Sequence, residues 1–598
     1  MSKAVVRPSL SRWDVHFARL GDEDLMKAVD ERFNDHIARL KSTNQFQRMD
    51  RAYHEFYAEG LNGEDKTLIM QQGKQGERTV IHVAHFRQLV DTMVNLAHGE
   101  PPNFDAEATS NDSESLIEAG LANGIIDWYL DDHLLDDFRR TTVMGLIFGE
   151  SWVDSVWDRH KGPDSRVIDT AQGPKVQKAG DTDTYVYGPL DCAVDPFARK
   201  RNDPDWTILH RWVNRWRLIA EYPHLEDKLK AVPAGPEDET SFDNGLYLNN
   251  DDYLCLSLFF HRDCQEVPGG KYAYFVGGGQ GVFLEGGPNP YGSELPVDRF
   301  AVSDVLRGAS GWTPAFDMLS ICEAIGAQYS HILSNHTAFG TQVMLAEKGH
   351  GLNYEDLTTG LALIEHEPGK APVPANFVQS PPEMFAFLSA LEKVLETISG
   401  VPSMLRGNND SNLKSGSALA MVHSTGMQIQ SGVQEAVMRM ERGVLTKRIA
   451  NLKRFATDER TVDIVGKDRA NSVKTYSKDS LGRVRRVVVR KKNPMFDTDM
   501  GRMELIKTLA QIPGIQLNMS EIVTFVQTGR MQLMWQATDK QNQAIHQENE
   551  QLRDMNAPLP HVMPWEPHDR HIAEHAADIA DPARRNDEGL FARYSEHI

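Results

Sequence analysis

Cysteine is scarce in this sequence: four residues in 598, at Cys192, Cys255, Cys264 and Cys322. None forms a C-x-x-C pair, so a disulfide framework or a cysteine-ligated zinc site lacks the close, paired spacing it needs. Four ordinary thiols of a reducing compartment are the simpler reading. Long apolar runs are also missing, and no stretch is long enough to cross a bilayer. The opening Met1-Ser-Lys-Ala-Val-Val-Arg-Pro8 lacks the apolar segment of a secretory signal, so neither export nor a membrane anchor is expected. No G-x-x-x-x-G-K-[ST] occurs, which removes the usual cradle for ATP phosphates; H-E-x-x-H and G-x-S-x-G are absent too. Positive charge is outweighed, with 64 Lys and Arg against 85 Asp and Glu and a net charge of −21. Proteins that grip DNA by its phosphates are normally basic. The acidity argues against tight DNA binding, but not against a surface past which DNA slides; its plainest role is to keep a large assembly soluble.

What is present is length and a changing periodicity. A chain of 598 residues predicts several domains, and no internal repeat of fixed period is visible. Over 11–60, Leu25, Val29, Phe33 and Ile37 recur every four residues, one helical face. A second helix is predicted over 82–98, with Phe86, Leu89, Met93, Val94 and Ala97 on one stripe, stopped by Pro101 and Pro102. A third spans 114–148. From 151 to about 305 the pattern is β: Trp152–Trp157, Thr184–Tyr187 and Tyr253–Phe260 alternate as half-buried strands do. Gly277-Gly-Gly-Gln-Gly281 reads as a hairpin turn, since no helix follows to make it a dinucleotide fingerprint.

Helix returns over 314–336, β over 340–378, and helix again from Pro381-Pro382 to Gly400. A polar loop, 402–413, leads into a helix predicted over 415–456, about 60 Å long at 1.5 Å per residue. Glycines 416, 426, 432 and 443 weaken it locally by about 1 kcal/mol each. Strands return over 461–492, and the last hundred residues are helical and polar. Between Gly311 and Gly400 lie ten acidic residues, three lysines and no arginine, a net of −7. This is either a solvated face or a wall that faces a polyanion without holding it. The basic strand Arg483–Lys492 (Arg483, Arg485, Arg486, Arg490, Lys491) is either a nucleic-acid contact or an edge strand whose charges block aggregation.

The strongest enzyme-like signal is His571-Ile-Ala-Glu574-His575, a match to the H-x-x-E-H zinc pattern. Two histidines four apart share a helical face, yet a third ligand is required, and Glu588 and Glu596 are the downstream choices. His561 and His568 widen the cluster. Chance histidines on a polar helix are the preferred reading, so no catalytic residue, metal or cofactor is assigned.

The order of these parts resembles the portal (head-to-tail connector) proteins of tailed bacteriophages, those of short-tailed phages in particular. The resemblance is carried by Gly99-Glu-Pro-Pro-Asn-Phe104 closing a helix, by Gly145-Leu-Ile-Phe-Gly-Glu-Ser-Trp-Val153 leading into a strand, and by Leu190-Asp-Cys-Ala-Val-Asp-Pro196. Ser415-Gly-Ser-Ala-Leu419 and Trp565-Glu-Pro-His-Asp-Arg-His-Ile-Ala-Glu-His575 extend it over about residues 80–580. It implies an α+β, elongated subunit. Its parts would be an N-terminal helical wing (1–150), a β-rich wing (151–310), stem helices at 311–339 and 380–400 around a clip (340–379), and a channel loop (401–414). A long wing helix (415–456), returning strands (457–496) and a helical crown (497–598) would complete it.

On this mapping the chain is no enzyme but one member of a dodecameric ring at a capsid vertex of the virion, assembled in the host cytoplasm. The ring would be a conduit for packaging and ejection of double-stranded DNA. Its partners would be the major capsid protein and scaffold, the terminase large subunit and head–tail adaptors. Arg406, Asn408, Asn409, Asp410 and Lys414 would form the channel loop. Asp317, Glu323, Glu347, Glu355, Asp356 and Glu383 would give the stem and clip their acidity. The alternatives are another head–tail junction or minor head protein and, more remotely, a zinc hydrolase using His571, Glu574 and His575.

Overall fold

The computed structural model describes residues 15–57, 69–73, 76–99, 103–110, 112–130, 134–170, 173–198, 200–233, 252–306, 308, 310–339, 342–348, 361–369, 382–401, 428–457, 460–465, 471–490, 506, 522, 536–564, 568–581, 584 and 587–598. Helices and several small, mostly antiparallel sheets alternate along the chain. Among the described residues no helix is long and apolar enough to cross a membrane.

Five helices open the chain: α1 (Asp22–Ser42), α2 (Gln45–Tyr57), α3 (His85–His98), α4 (Ser113–Tyr129) and α5 (Leu135–Phe148). α1 begins with Asp22, Glu23 and Asp24 and ends with Arg39 and Lys41, charges that complement the helix dipole at both ends. Its predicted stripe is the buried one: Leu25, Val29, Phe33 and Ile37 all lie in the core, each side chain contributing about 1.5–3 kcal/mol by leaving water. In α3 the buried set is Phe86, Leu89, Val90, Met93 and Val94, close to the predicted stripe. Helix occupies the span expected over 114–148: between α4 and α5, Leu130 (φ −68°, ψ −35°) and Leu134 (φ −64°, ψ −31°) keep helical dihedrals. Asp112 caps α4 by accepting from the Ser115 amide at 3.1 Å.

The β region is built on a five-stranded antiparallel sheet ordered Cys192–Val194, Trp206–Asn214, Tyr253–His261, Lys271–Val276 and Val282–Gly287. Gly277 and Gly278 turn the last hairpin at φ +78° and +65°, backbone conformations that only glycine adopts cheaply. The short helices α6 (Arg215–Glu221) and α7 (Glu226–Ala231) follow the second strand.

The expectation of half-buried strands needs correction. In Tyr253–His261 every residue from Ser257 to His261 is buried. Leu254, Leu256, Leu258 and Phe260 belong to one apolar cluster, whereas Phe259, with Ile208 and Phe275, belongs to the other. The period of two sorts side chains between two cores, not between core and solvent. Ser151–Asp154 is likewise buried throughout.

The second half adds α8 (Pro314–Phe339), α9 (Pro382–Ser399), α10 (Ser431–Phe455), α11 (Gln536–Arg553), α12 (His568–Ile579) and α13 (Glu588–His597). The helix expected to run unbroken over 415–456 is interrupted at Gln430, whose φ of −84° and ψ of 8° mark the start of α10. The Gln430 side chain donates to the Ser399 carbonyl at 2.7 Å, tying this break to the end of α9. Residues 402–427 lie outside the described set. α10 then threads the main core, burying Val433, Val437, Met440, Val444 and Leu452 and packing on α3, α5 and the strands Val297–Phe300 and Val484–Arg490.

Candidate functional site

Thr313 starts α8 by accepting from the Ala315 amide at 3.3 Å, and Pro314 occupies the first helical position, where a missing N–H costs nothing. Ala315, Met318, Leu319, Cys322 and Ile325 are buried, and this half of the helix packs on α2, α3 and α5. Further along, the Ser330 hydroxyl accepts from the Ile81 amide at 3.0 Å. The hairpin Ile69–Gly73/Gly76–Val80, which precedes this contact, has no counterpart in the sequence reading.

α9 packs along α8 through Leu388, Leu391 and Leu395, and the Tyr329 hydroxyl donates to Glu392 at 3.3 Å. Between the two helices, Gln342–Glu347 and Leu361–His366 pair in parallel, within the segment expected to be β.

α9 also carries a second apolar stripe. Phe387, Ala390, Val394 and Ile398 follow an i, i+3, i+7, i+11 spacing, which places them on one side of the helix. Phe387 is 51% exposed, Val394 45% and Ile398 40%. The stripe runs for about 16 Å and is left partly exposed to solvent among the described residues.

The acidic residues are dispersed. Asp317 and Glu383 are exposed in the first turns of α8 and α9, where a carboxylate complements the helix dipole. Glu323 receives Arg51 of α2 at 2.7 and 2.9 Å, an exposed bidentate pair worth up to about 1 kcal/mol. Glu347 accepts from the Gly369 amide at 3.4 Å. Glu355, Asp356 and the channel-loop residues Arg406, Asn408, Asn409, Asp410 and Lys414 lie outside the described residues.

Strand Val484–Arg490 pairs with Asn103–Ala108 and buries Val484 and Val487. Its arginines face acids: Arg483 bridges Asp112 at 2.8 Å and also meets Glu114, and Arg486 bridges Glu107 at 2.6 Å. Hydrogen bonding holds the Asp112 carboxyl below its usual range, with the Ser115 hydroxyl the largest cause and Arg483 a smaller one. Two of the five basic residues thus serve the docking of this strand. Arg485 is exposed; the Arg490 side chain and Lys491 are outside the described residues.

At the C-terminus, α12 turns His571 and His575 inward, while Glu574 is exposed. The structure does not bring Glu588 or Glu596 to the pair: both are exposed. It brings Glu548 of α11 instead. His597 of α13 approaches the same carboxylate. His561 and His568 are exposed and stand apart. Glu548 and His597 lie 23 and 22 residues outside the 571–575 motif, and no spacing rule signals them. Set against models of known protein families and against curated proteins, the chain matches none of them.

Proposed function

We propose that this chain is a portal-type subunit, one member of a closed ring at a capsid vertex through which double-stranded DNA is packaged and ejected. The observation that supports the reading is the second stripe of α9. A helix that buries one face on α8 and presents Phe387, Val394 and Ile398 to water is incomplete as a monomer, since uncovered apolar strips of this kind mark interfaces. A neighbouring copy of the same chain, docked head to tail, covers the strip, and repetition of one heterologous contact closes a ring. The net charge of −21 suits a conduit that lets DNA slide. Capsid protein, scaffold, terminase and adaptor are the partners this role requires, and the virion is its location.

Electron microscopy of the purified chain tests the proposal. Rings with a central hole are expected, and the double substitution Phe387→Asp, Val394→Asp should give folded monomers with unchanged far-UV circular dichroism. A wild-type chain that stays a compact monomer at high concentration refutes the reading. Deleting 402–413 should spare ring assembly yet impair packaging or retention of DNA.

A further inference from the structure

The C-terminal helices bring together a set of donors that the portal reading does not use. Glu548 (α11) and His571 and His575 (α12) each offer one ligand atom, all within 4.8 Å of one another. The Glu548 Oε2 atom lies 3.3 Å from His571 Nδ1, 3.4 Å from His575 Nε2 and 3.8 Å from His597 Nε2 of α13. All three imidazoles are nearly enclosed, with side-chain exposures of 9%, 1% and 4%. The His575 and His597 rings stand edge to face, 4.9 Å between centroids.

Two features of this geometry point to a cation at the centre. The first is the tautomer of His575. Its Nδ1 lies 2.7 Å from the Asn549 side-chain oxygen, an atom that can only accept, so Nδ1 carries the proton and donates. With Nδ1 so engaged, Nε2 is the ring nitrogen that faces the Glu548 carboxylate, 3.4 Å away, and either a proton or a metal cation fits between them. An imidazole whose other nitrogen donates to a fixed acceptor is the usual form of a metal-bound histidine. The second is the spacing. Metal–donor bonds of about 2.0–2.1 Å in a tetrahedron set neighbouring donors about 3.3–3.4 Å apart. Two of the three separations from Glu548 have this value, and the third requires a shift of a few tenths of an ångström. Direct N–H···O contacts would instead settle at about 2.7–3.2 Å.

We propose that Glu548, His571 and His575, with His597 closing the fourth position, bind one divalent transition metal, zinc by the match of donors and geometry. Three imidazole nitrogens and one carboxylate oxygen suit zinc, and a buried, four-ligand site is structural, not catalytic. The metal would add a link among α11, α12 and α13, which already share Asp578. That carboxylate binds Arg553 of α11 at 3.0 Å and the Tyr594 hydroxyl of α13 at 2.5 Å. The proposal does not depend on ring formation, so each can fail alone.

The test uses the full-length chain, stripped with chelator and titrated with Zn2+ alone. One zinc per chain is expected, with a raised melting temperature. Co2+ in its place should give the intense visible absorption of a tetrahedral ion. Glu548→Gln and His575→Ala should abolish both signals, and His568→Ala, at the exposed start of α12, should leave them intact. Should those two variants lose helix content by circular dichroism, Asn549→Ala decides, because loss of the acceptor that orients His575 should weaken zinc about 10- to 100-fold. The proposal is overturned if zinc stays well below one per chain, which would leave an imidazolium–carboxylate cluster only. Cobalt absorption that survives His575→Ala, or unchanged zinc affinity in Asn549→Ala, overturns it equally.

Discussion

Glu441→Gln should stabilise this protein, and by an amount that grows with pH. Glu441 sits inside α10, 2% exposed, with Oε1 3.5 Å from Nδ1 of His98 at the end of α3; His98 Nε2 is 2.8 Å from the Thr142 hydroxyl. Burial pushes the Glu441 carboxyl from its ordinary 4.5 up to about 8, so the folded protein keeps it protonated at neutral pH. Burial, aided by the Arg139 charge, pushes His98 down to about 4.

The two groups have opposite signs. A carboxyl with a raised folded pKa contributes stability that is complete below 4.5 and is lost as pH rises through about 8. A histidine with a lowered folded pKa contributes stability that is complete above 6.5 and is lost as pH falls through about 4. Between 4.5 and 6.5 the slopes oppose, and above 6.5 only the glutamate slope remains. At about 1.4 kcal/mol per pH unit, flattening as the folded carboxyl itself titrates near 8, roughly 1.6 kcal/mol of stability is lost between pH 6.5 and 8. Glutamine keeps the shape and never ionises, so the variant should gain roughly 3 kcal/mol at pH 7.

The assay is hydrogen exchange of the α10 amides around Val437–Leu445, read as protection factors for both chains at pH 6.5 and 8. This local readout avoids assuming two-state unfolding for so long a chain. Protection that changes equally with pH in both chains, or that is lower in Glu441→Gln at every pH, refutes the argument.

Two further perturbations test the packing. Arg299 is buried with Glu150, donating from Nε at 2.8 Å, and reaches Asp304 at 2.7 Å. Arg299→Met strands the buried Glu150 carboxylate, and thermal denaturation should report a loss of about 3–5 kcal/mol; a neutral result would show that the carboxylate is rehydrated or protonated. Among the helix glycines, Gly443→Ala should destabilise, because its Cβ would lie 2.1 Å from Asp298 Oδ1, whereas Gly432→Ala meets only Val302 at 3.9 Å and should gain up to about 1 kcal/mol. A gain in both variants, measured by chemical denaturation, would remove the case for close contact at Gly443.

Local periodicity makes most of the helices legible in the sequence. The stripes Leu25–Ile37 and Phe86–Val94 repeat near 3.6 residues because each helix has one core to face, and Pro382 and Gly400 mark the bounds of α9 through backbone chemistry. The break at Gln430 was not legible, because it depends on the Ser399 carbonyl 31 residues earlier. The pairing of Val484–Arg490 with Asn103–Ala108 was hidden as well. That pairing neutralises arginines which, read in isolation, resemble a nucleic-acid strip.

The sequence by itself determined most of the succession of helix and strand (the Ile69–Val80 hairpin excepted), the excess of negative charge and the placement of His571 and His575 on one face of a helix. Each follows from composition or from contacts within a few residues. Tertiary structure alone decided that the central sheet is covered on both sides, that the α9 stripe is left partly exposed, and that Glu548 and His597 converge on the histidine pair. An alternating strand cannot say what lies beyond its outer face, an apolar stripe cannot say whether its own chain covers it, and a ligand set drawn from three helices has no spacing to read.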